Sequence, residues 1–407
     1  MRNNNFLQEI RDFVYRYYYP QVFSHIQDIS NEAIEEISSS IVGVIKKNGA
    51  VLSFGNGGSD AIASQTTYAL QKEIDYKYKF HAITNPSPWI SADIDNHVFF
   101  SNSIRRYSNN GDLAILISAS GNSKNIINAI KLCKKMDIKT VSISSEGKIV
   151  KDPSVKADIT IPIENDDQQI IEDITLAAVF IIVKTVKEIL EKGKCDIQKV
   201  KDSYLIRYQK DVETITPSDL QSIILDTISA YSKRKTVRID APDNGLIAIS
   251  AGHIMHNFKW DGLSNIDIRP ANKVQSGIPN FHLTGVGNDG GDEFNHAIEV
   301  FDNGEKGDVE IILYMDKDTT RTKSLIRAAN MKKMKVHTLT VSHKDELISA
   351  NSLMSTGHIM GRILNTYLLL KDGKIVAKQF LDQLKQDLAL LRQKNETRKR
   401  YEALFLS

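Results

Sequence analysis

Only two cysteines occur in 407 residues, Cys133 and Cys195, each in a lysine-rich stretch with neither metal-ligand spacing nor a nearby partner. That excludes a disulfide scaffold and a cysteine zinc site, and it suits a reducing, cytoplasmic compartment. An excess of one charge is lacking too: 52 Lys plus Arg against 50 Asp plus Glu leaves a net +2, both signs interleaved. Such a balance creates no global field to gather nucleic acid. The basic run Arg392, Lys394, Arg398, Lys399 and Arg400 has Glu nearby and reads as a solvated helix face. Long apolar runs are absent as well. The longest, Leu176–Val183, falls far short of the roughly 20 residues a membrane span needs, and residues 1–12 have no signal-peptide core. The expectation is a soluble, globular chain that binds neither nucleic acid nor membrane. It is too long for one ordinary core, so two domains are expected.

What is present is alternation. Two helical patterns fill residues 6–47, with Ile10, Phe13, Val14 and Tyr17 on one face and Ile34, Ile37, Ile41 and Ile45 on another. Short apolar strands follow at 50–54, 80–84, 112–117, 140–143 and 159–163, separated by helix-compatible segments, with long helices at 125–136 and 169–190. Strands alternating with helices predict an α/β protein with a doubly wound parallel sheet covered on both faces. Beyond a lysine-rich helical connection the same order restarts. Asn110-Gly111-Asp112 before LAILI matches Lys306-Gly307-Asp308 before VEIIL, 196 residues on. Lys134-Lys135-Met136 through Thr140 matches Lys332-Lys333-Met334 through Thr338, 198 residues on, which implies two extra loop residues in the second copy. Shared element order alone is the plainer explanation, but identities in register with the elements favour duplication.

Two loops carry the chemistry. Gly55-Asn56-Gly57-Gly58-Ser59 lies between a strand and a helix start, where glycines admit a ligand to the backbone and free N–H groups favour an anion. Ser118-Ala119-Ser120-Gly121-Asn122-Ser123 follows the next inner strand. In an open parallel sheet such loops converge at the carboxyl ends of the strands. The hydroxyls of Ser59, Ser118, Ser120 and Ser123, with the free amides of the glycine-rich turn, are therefore the expected phosphate cradle. The competing reading is a tight turn plus an ordinary N-cap at Ser123.

The segment Asn48–Ser59, together with Ile117–Ser123 and Asn125–Ile130, resembles the phosphoheptose isomerase branch of the SIS (sugar isomerase) family, over residues of about 6–190. The resemblance implies two doubly wound, three-layer (αβα) SIS domains in tandem with flanking helices. Their expected bounds are 1–192 for the first domain, 193–233 for the connection, 234–372 for a degenerate second domain and 373–407 for a C-terminal helix. It further implies a sugar-phosphate ligand whose phosphate lies among Asn56, Gly57, Gly58, Ser59, Ser118, Ser120, Asn122 and Ser123, aldose–ketose isomerisation through an enediol, a homo-oligomer such as a dimer, and no cofactor. Ala119 stands where the family usually has Thr. The family's acid–base positions fall on Ala69 and near Val179, and its metal-associated histidine on Gln65, none of which is a base near neutral pH. Glu172 and Asp173 are the nearest substitutes in the first domain, unless one of them caps its helix.

In the second copy the first loop is expected at Ser250-Ala251-Gly252-His253, without Gly-Gly-Ser, and Asp316 takes the place of Ser120. The resemblance offers catalytic residues here instead: His256, Asp289 in a Val-Gly-Asn-Asp loop, and His358 on the final helix. For the histidines three readings stay open: a metal held by His253, His256 and a third ligand such as His282 or Asp289; catalysis; or ordinary histidines satisfied by the backbone. A catalytically inactive sugar-phosphate-binding regulator or scaffold is the alternative function. A dinucleotide site is excluded, because Gly55-Asn56-Gly57-Gly58 is not G-x-G-x-x-G and no acidic residue ends the next strand.

Overall fold

The computed structural model describes residues 2–83, 97–233, 235–242, 246–257, 274–276, 295–314, 319–340 and 345–369. The chain forms two compact units, residues 21–207, and residues 1–20 with 208–407. The expected C-terminal helix at 373–407 lies outside the described residues.

In the first unit, five parallel strands, β1 (Ala50–Phe54), β2 (Lys79–Ala82), β3 (Leu113–Ser118), β4 (Lys139–Ser145) and β5 (Ile159–Ile163), run in the order β2-β1-β3-β4-β5. β1 and β3 are buried at every position, so their apolar residues are continuous rather than alternating, as a sheet covered on both faces demands. Helices are numbered from the N-terminus: α1 (Arg2–Asp12) and the wide turn at Phe13–Tyr18 belong to the other unit, and α2 (Tyr19–Asp28), α3 (Asn31–Lys46) and α4 (Gly58–Glu73) follow. They continue with α5 (Phe99–Tyr107), α6 (Lys124–Lys135), α7 (Lys148–Lys151), α8 (Gln168–Lys192) and α9 (Ile197–Thr214). α8 packs against α3 and α4, and α5 packs against α6. A core of Leu52, Phe54, Phe100, Ile104, Ala114, Leu116 and Ile126 fills the α5–α6 side.

The second unit repeats the plan. After α10 (Pro217–Ser232), strands β6 (Val237–Asp240), β7 (Val274–Ser276), β8 (Val309–Tyr314) and β9 (Lys335–Thr340) are parallel and ordered β7-β6-β8-β9. Between and after them come α11 (Leu246–Asn257), α12 (Asn295–Asn303), α13 (Thr320–Met331) and α14 (Glu346–Leu369). α14 packs against α10 and α11, and α12 against α13.

The repeat is physical. Asp112 accepts from the backbone N–H of Ala50 at 2.8 Å and of Asn109 at 2.7 Å, and so ties the start of β1 to the turn before β3. Asp308 accepts from Thr236 and from Glu305, both at 2.9 Å, in the same way before β8. Each preceding glycine has positive φ, Gly111 at 86° and Gly307 at 91°, and each donates to the carbonyl of a further positive-φ residue, Asp137 or Lys333. This is why Gly-Asp recurs: the turn needs the glycine, and two backbone amides need the carboxylate.

One expectation is corrected. β3 aligns Leu113 with Lys139, and β8 aligns Val309 with Lys335, so the spacing between copies is still 196 at the fourth strand. Helices α6 and α13 obey the same spacing. The second copy has no two extra residues there, and the Lys-Lys-Met match at 198 is out of structural register. The added length lies earlier. β1 pairs Val51 with Phe80, whereas β6 pairs Val237 with Val274, a separation of 29 residues against 37.

Candidate functional site

The loops after β1 and β3 meet. Gly57, at φ 57°, turns the chain into α4, and Ser59 sits buried in the first helical turn. Its Oγ accepts from Ala119 N at 3.4 Å, which joins the two loops. Ser118 Oγ accepts from Gly121 N at 3.1 Å, and Ser120 Oγ lies 3.5 Å from Ser123 Oγ. Ser123 occupies the N-cap of α6 yet makes no capping hydrogen bond with its side chain, so its hydroxyl serves the loop and not the helix end.

Two of the expected residues brace the loops instead. Asn56 and Asn125 exchange reciprocal amide hydrogen bonds at 3.0 and 2.8 Å, locking the first loop to α6. Asn122 Nδ2 donates to Ser120 O at 2.8 Å while its Oδ1 accepts from Lys148 N at 3.1 Å. A third segment thus supports the serine loop. Its Gly147 packs so closely on Gly121, itself at φ 60°, that neither position has room for a side chain. Sequence reasoning missed Gly147 and Asn125; the one available signal was the pairing of a loop glycine after β3 with another after β4.

The carboxylates come next. Glu172, buried on α8, lies against Gly58 and accepts from Gln168 Nε2 at 3.1 Å. It does not cap α8: Asp167 does, accepting from Gln169 N at 3.0 Å. Asp60, in the first turn of α4, has its Oδ1 buried with no hydrogen-bond partner among the described residues. Burial pushes its pKa up to about 6. Gln65, Ala69 and Val179 are all buried, and none offers a proton-transfer group. Cys133 is no nucleophile either, because burial pushes its thiol up to about 12.

The second copy differs from expectation. Ser250–His253 is not a loop but part of α11, and Ser250 Oγ donates to Ala350 O on α14 at 3.1 Å. β6 ends at Asp240 and α11 begins at Leu246. His256 is on α11, and His358 is fully buried in α14 next to Gly357, whose Cα packs on Ile254. Asp289, His282 and Asp316 lie outside the described residues. Among those described, no group of three or more His, Cys, Asp or Glu could hold a metal ion, and no helix is long and apolar enough to cross a membrane.

Known proteins share this architecture and, in part, this sequence. A model of the SIS domain matches residues 14–145. The phosphoheptose isomerase of Proteus mirabilis is 30% identical over 173 residues, 41% of this chain and 90% of that protein. The chain belongs to the SIS-domain family. The phosphoheptose isomerase of Sodalis glossinidius is likewise 30% identical, over 40% of this chain and 86% of that protein. Over most of its length, the SIS-domain chain shares its fold with the C-terminal domain of glucosamine-fructose-6-phosphate aminotransferase from Francisella tularensis. That likeness has a TM-score of 0.57 at 12% identity and covers 89% of this chain and 95% of that one.

Proposed function

We propose that this protein binds a sugar phosphate in its first copy and interconverts the aldose and ketose forms. The phosphate is held by Ser59, Ser118, Ser120 and Ser123, with the amides of Gly57 and Gly58 at the start of α4. The observation that carries this reading is the convergence of those hydroxyls at the carboxyl ends of β1 and β3, with Ser123 released from capping. Relatives named as phosphoheptose isomerases support the substrate class.

Isomerisation needs a base that lifts the proton from the carbon beside the carbonyl and an acid that protonates the carbonyl oxygen. The enediol then takes a proton at the former carbonyl carbon and gives up the proton of its other hydroxyl, which becomes the new carbonyl. With Gln65, Ala69 and Val179 at the family's positions, we place the base on Glu172, whose carboxylate borders the loop at Gly58, and the acid on Asp60, whose raised pKa keeps a proton available. His358, His256 and Asp289 of the second copy are the alternatives that substitution separates.

The test is deuterium incorporation at C1 of sedoheptulose 7-phosphate and at C2 of the aldose formed from it, in deuterated water, followed by NMR, with other sugar phosphates alongside. Incorporation that Glu172→Gln abolishes supports the reading. If Glu172→Gln exchanges as fast as the unsubstituted protein, the base lies elsewhere. The same three buried, non-basic positions favour a second reading, a binding module without chemistry. Its signature is thermal protection by the ligand, lost in Ser120→Asp, with no exchange at any carbon.

A further inference from the structure

The second copy buries charge where the first buries hydrocarbon. β1 pairs Leu52 with Ala114, and β6 pairs Arg238 with Glu310, so strand register equates Leu52 with Arg238, Phe54 with Asp240 and Ala114 with Glu310. The two crossover helices start at Phe99 and Asn295, which equates Phe100 with His296. In the first copy the Phe54 and Phe100 rings pack 5.0 Å apart. At the same place in the second, His296 Nδ1 lies 3.1 Å from Asp240 Oδ1. Arg238 reaches Glu299 at 3.3 Å, Glu310 at 3.7 Å and Asp240 at 4.0 Å. Arg238, Asp240, His296 and Glu310 are all more than nine-tenths buried.

The fold does not require this. The first copy builds the same strands from apolar residues, and a buried ion network is often no more stable than hydrocarbon of the same volume. The cluster is also unfinished: Glu310 is wholly buried, yet both its carboxylate oxygens find no hydrogen-bond partner among the described residues. Burial first, and the charge of Asp240 second, drive Glu310 toward its neutral acid form. Burial opposes ionisation of Asp240, but His296 and Arg238 outweigh it and hold Asp240 below its ordinary value. Two carboxyl groups pushed in opposite directions are a proton donor and acceptor kept apart by their surroundings. Asp240 also fixes the imidazole through Nδ1, so Nε2 is the nitrogen left to face a ligand.

Placement and charge define that ligand. Asp240 ends β6, and His296 opens α12, so both lie at the carboxyl edge of the sheet. The His296 side chain keeps 9% of its surface open. Three carboxyl groups, Asp240, Glu299 and Glu310, outnumber the single guanidinium of Arg238, which disfavours a phosphate. Arg238, within about 4 Å of both buried carboxyls, disfavours a metal cation.

We propose that the second copy carries a site of its own, centred on the Asp240–His296 pair with Glu310 behind it, that takes an uncharged polyhydroxylated molecule rather than a phosphate. The site is independent of the phosphate loops of the first copy.

The test uses the full chain labelled at histidine, with the His296 NMR signal assigned by its loss in His296→Gln. The probes are D-glucose, D-fructose and myo-inositol, against orthophosphate. At least one neutral polyol should shift the His296 signal saturably while orthophosphate leaves it in place. Asp240→Asn should weaken that response about tenfold, the effect of one lost charge-assisted hydrogen bond. A signal indifferent to every polyol, or moved as strongly by orthophosphate, overturns the proposal. So does unfolding of the chain when Arg238→Leu, Asp240→Phe, His296→Phe and Glu310→Ala are combined, since the cluster would then be structural. Protection by sedoheptulose 7-phosphate should survive Asp240→Asn; its absence in the unsubstituted protein counts against the phosphate reading alone.

Discussion

The carboxylate of Glu172 lies directly against the backbone of Gly58, so that a Cβ at that glycine would fall 2.6 Å from the carboxyl carbon. Gly58→Ala should therefore destabilise the first unit by about 1–3 kcal/mol through overpacking and abolish thermal protection by sugar phosphates. Combining it with Glu172→Ala should recover part of the stability, since the two sites share one contact. Urea denaturation of the four proteins in the cycle measures this, and strict additivity would show that the contact does not matter.

Ser59→Ala removes the hydroxyl to which Ala119 N donates. Affinity for a sugar phosphate should fall about tenfold while stability changes by less than about 1 kcal/mol, because the loops stay braced by Asn56 and Asn125. Calorimetric titration beside thermal melts separates the two quantities.

Gly147→Ala tests action from outside the cradle. The added methyl meets the backbone of Gly121 and must move the serine loop. Ligand affinity should fall at least as far as in Ser59→Ala, although Gly147 is not among the residues proposed to touch the phosphate.

Asp60 carries a pH signature. Its folded pKa of about 6 lies above its ordinary value of 3.8, so the folded state holds the proton more tightly. Stability from this group is complete below the unfolded value and is lost as pH rises through the folded one. Asp60→Asn should accordingly gain stability relative to the unsubstituted protein between about pH 4 and pH 7. Melting temperatures of the pair across that window decide it, and parallel curves would refute the shift.

The two Asp clamps should be equivalent. Asp112→Ala and Asp308→Ala each leave two backbone amides without an acceptor, and each should cost about 3 kcal/mol. Denaturant unfolding checks both, and a negligible loss in either copy would show that its turn holds by other means.

Much of the first unit was legible in the sequence because its signals were local. β1 and β5 have the bounds their apolar runs announce. α5 gives no such signal, for a physical reason: its N-cap is Val98, with no capping side chain, and polar residues interrupt its apolar face. The Lys-Lys-Met identity misled, since on a solvated helix end such residues carry no register. Strand pairing does carry it. The second copy's polar cluster was hidden for the opposite reason: Val237-Arg238-Ile239-Asp240 alternates as a half-exposed strand would, yet all four residues are buried. Only the fold reveals that the charges face inward. Of the phosphate set, the serines stand where the motif implied, whereas the bracing roles of Asn56 and Asn122 depend on partners distant in sequence.

The clamps made by Asp112 and Asp308 fasten each sheet at the end where its strands begin, whereas the loops that could hold a ligand lie where the strands finish. Each copy can thus be rewritten at one end without loosening the other. The second copy shows that freedom: charged side chains stand on strands that the first copy builds from hydrocarbon.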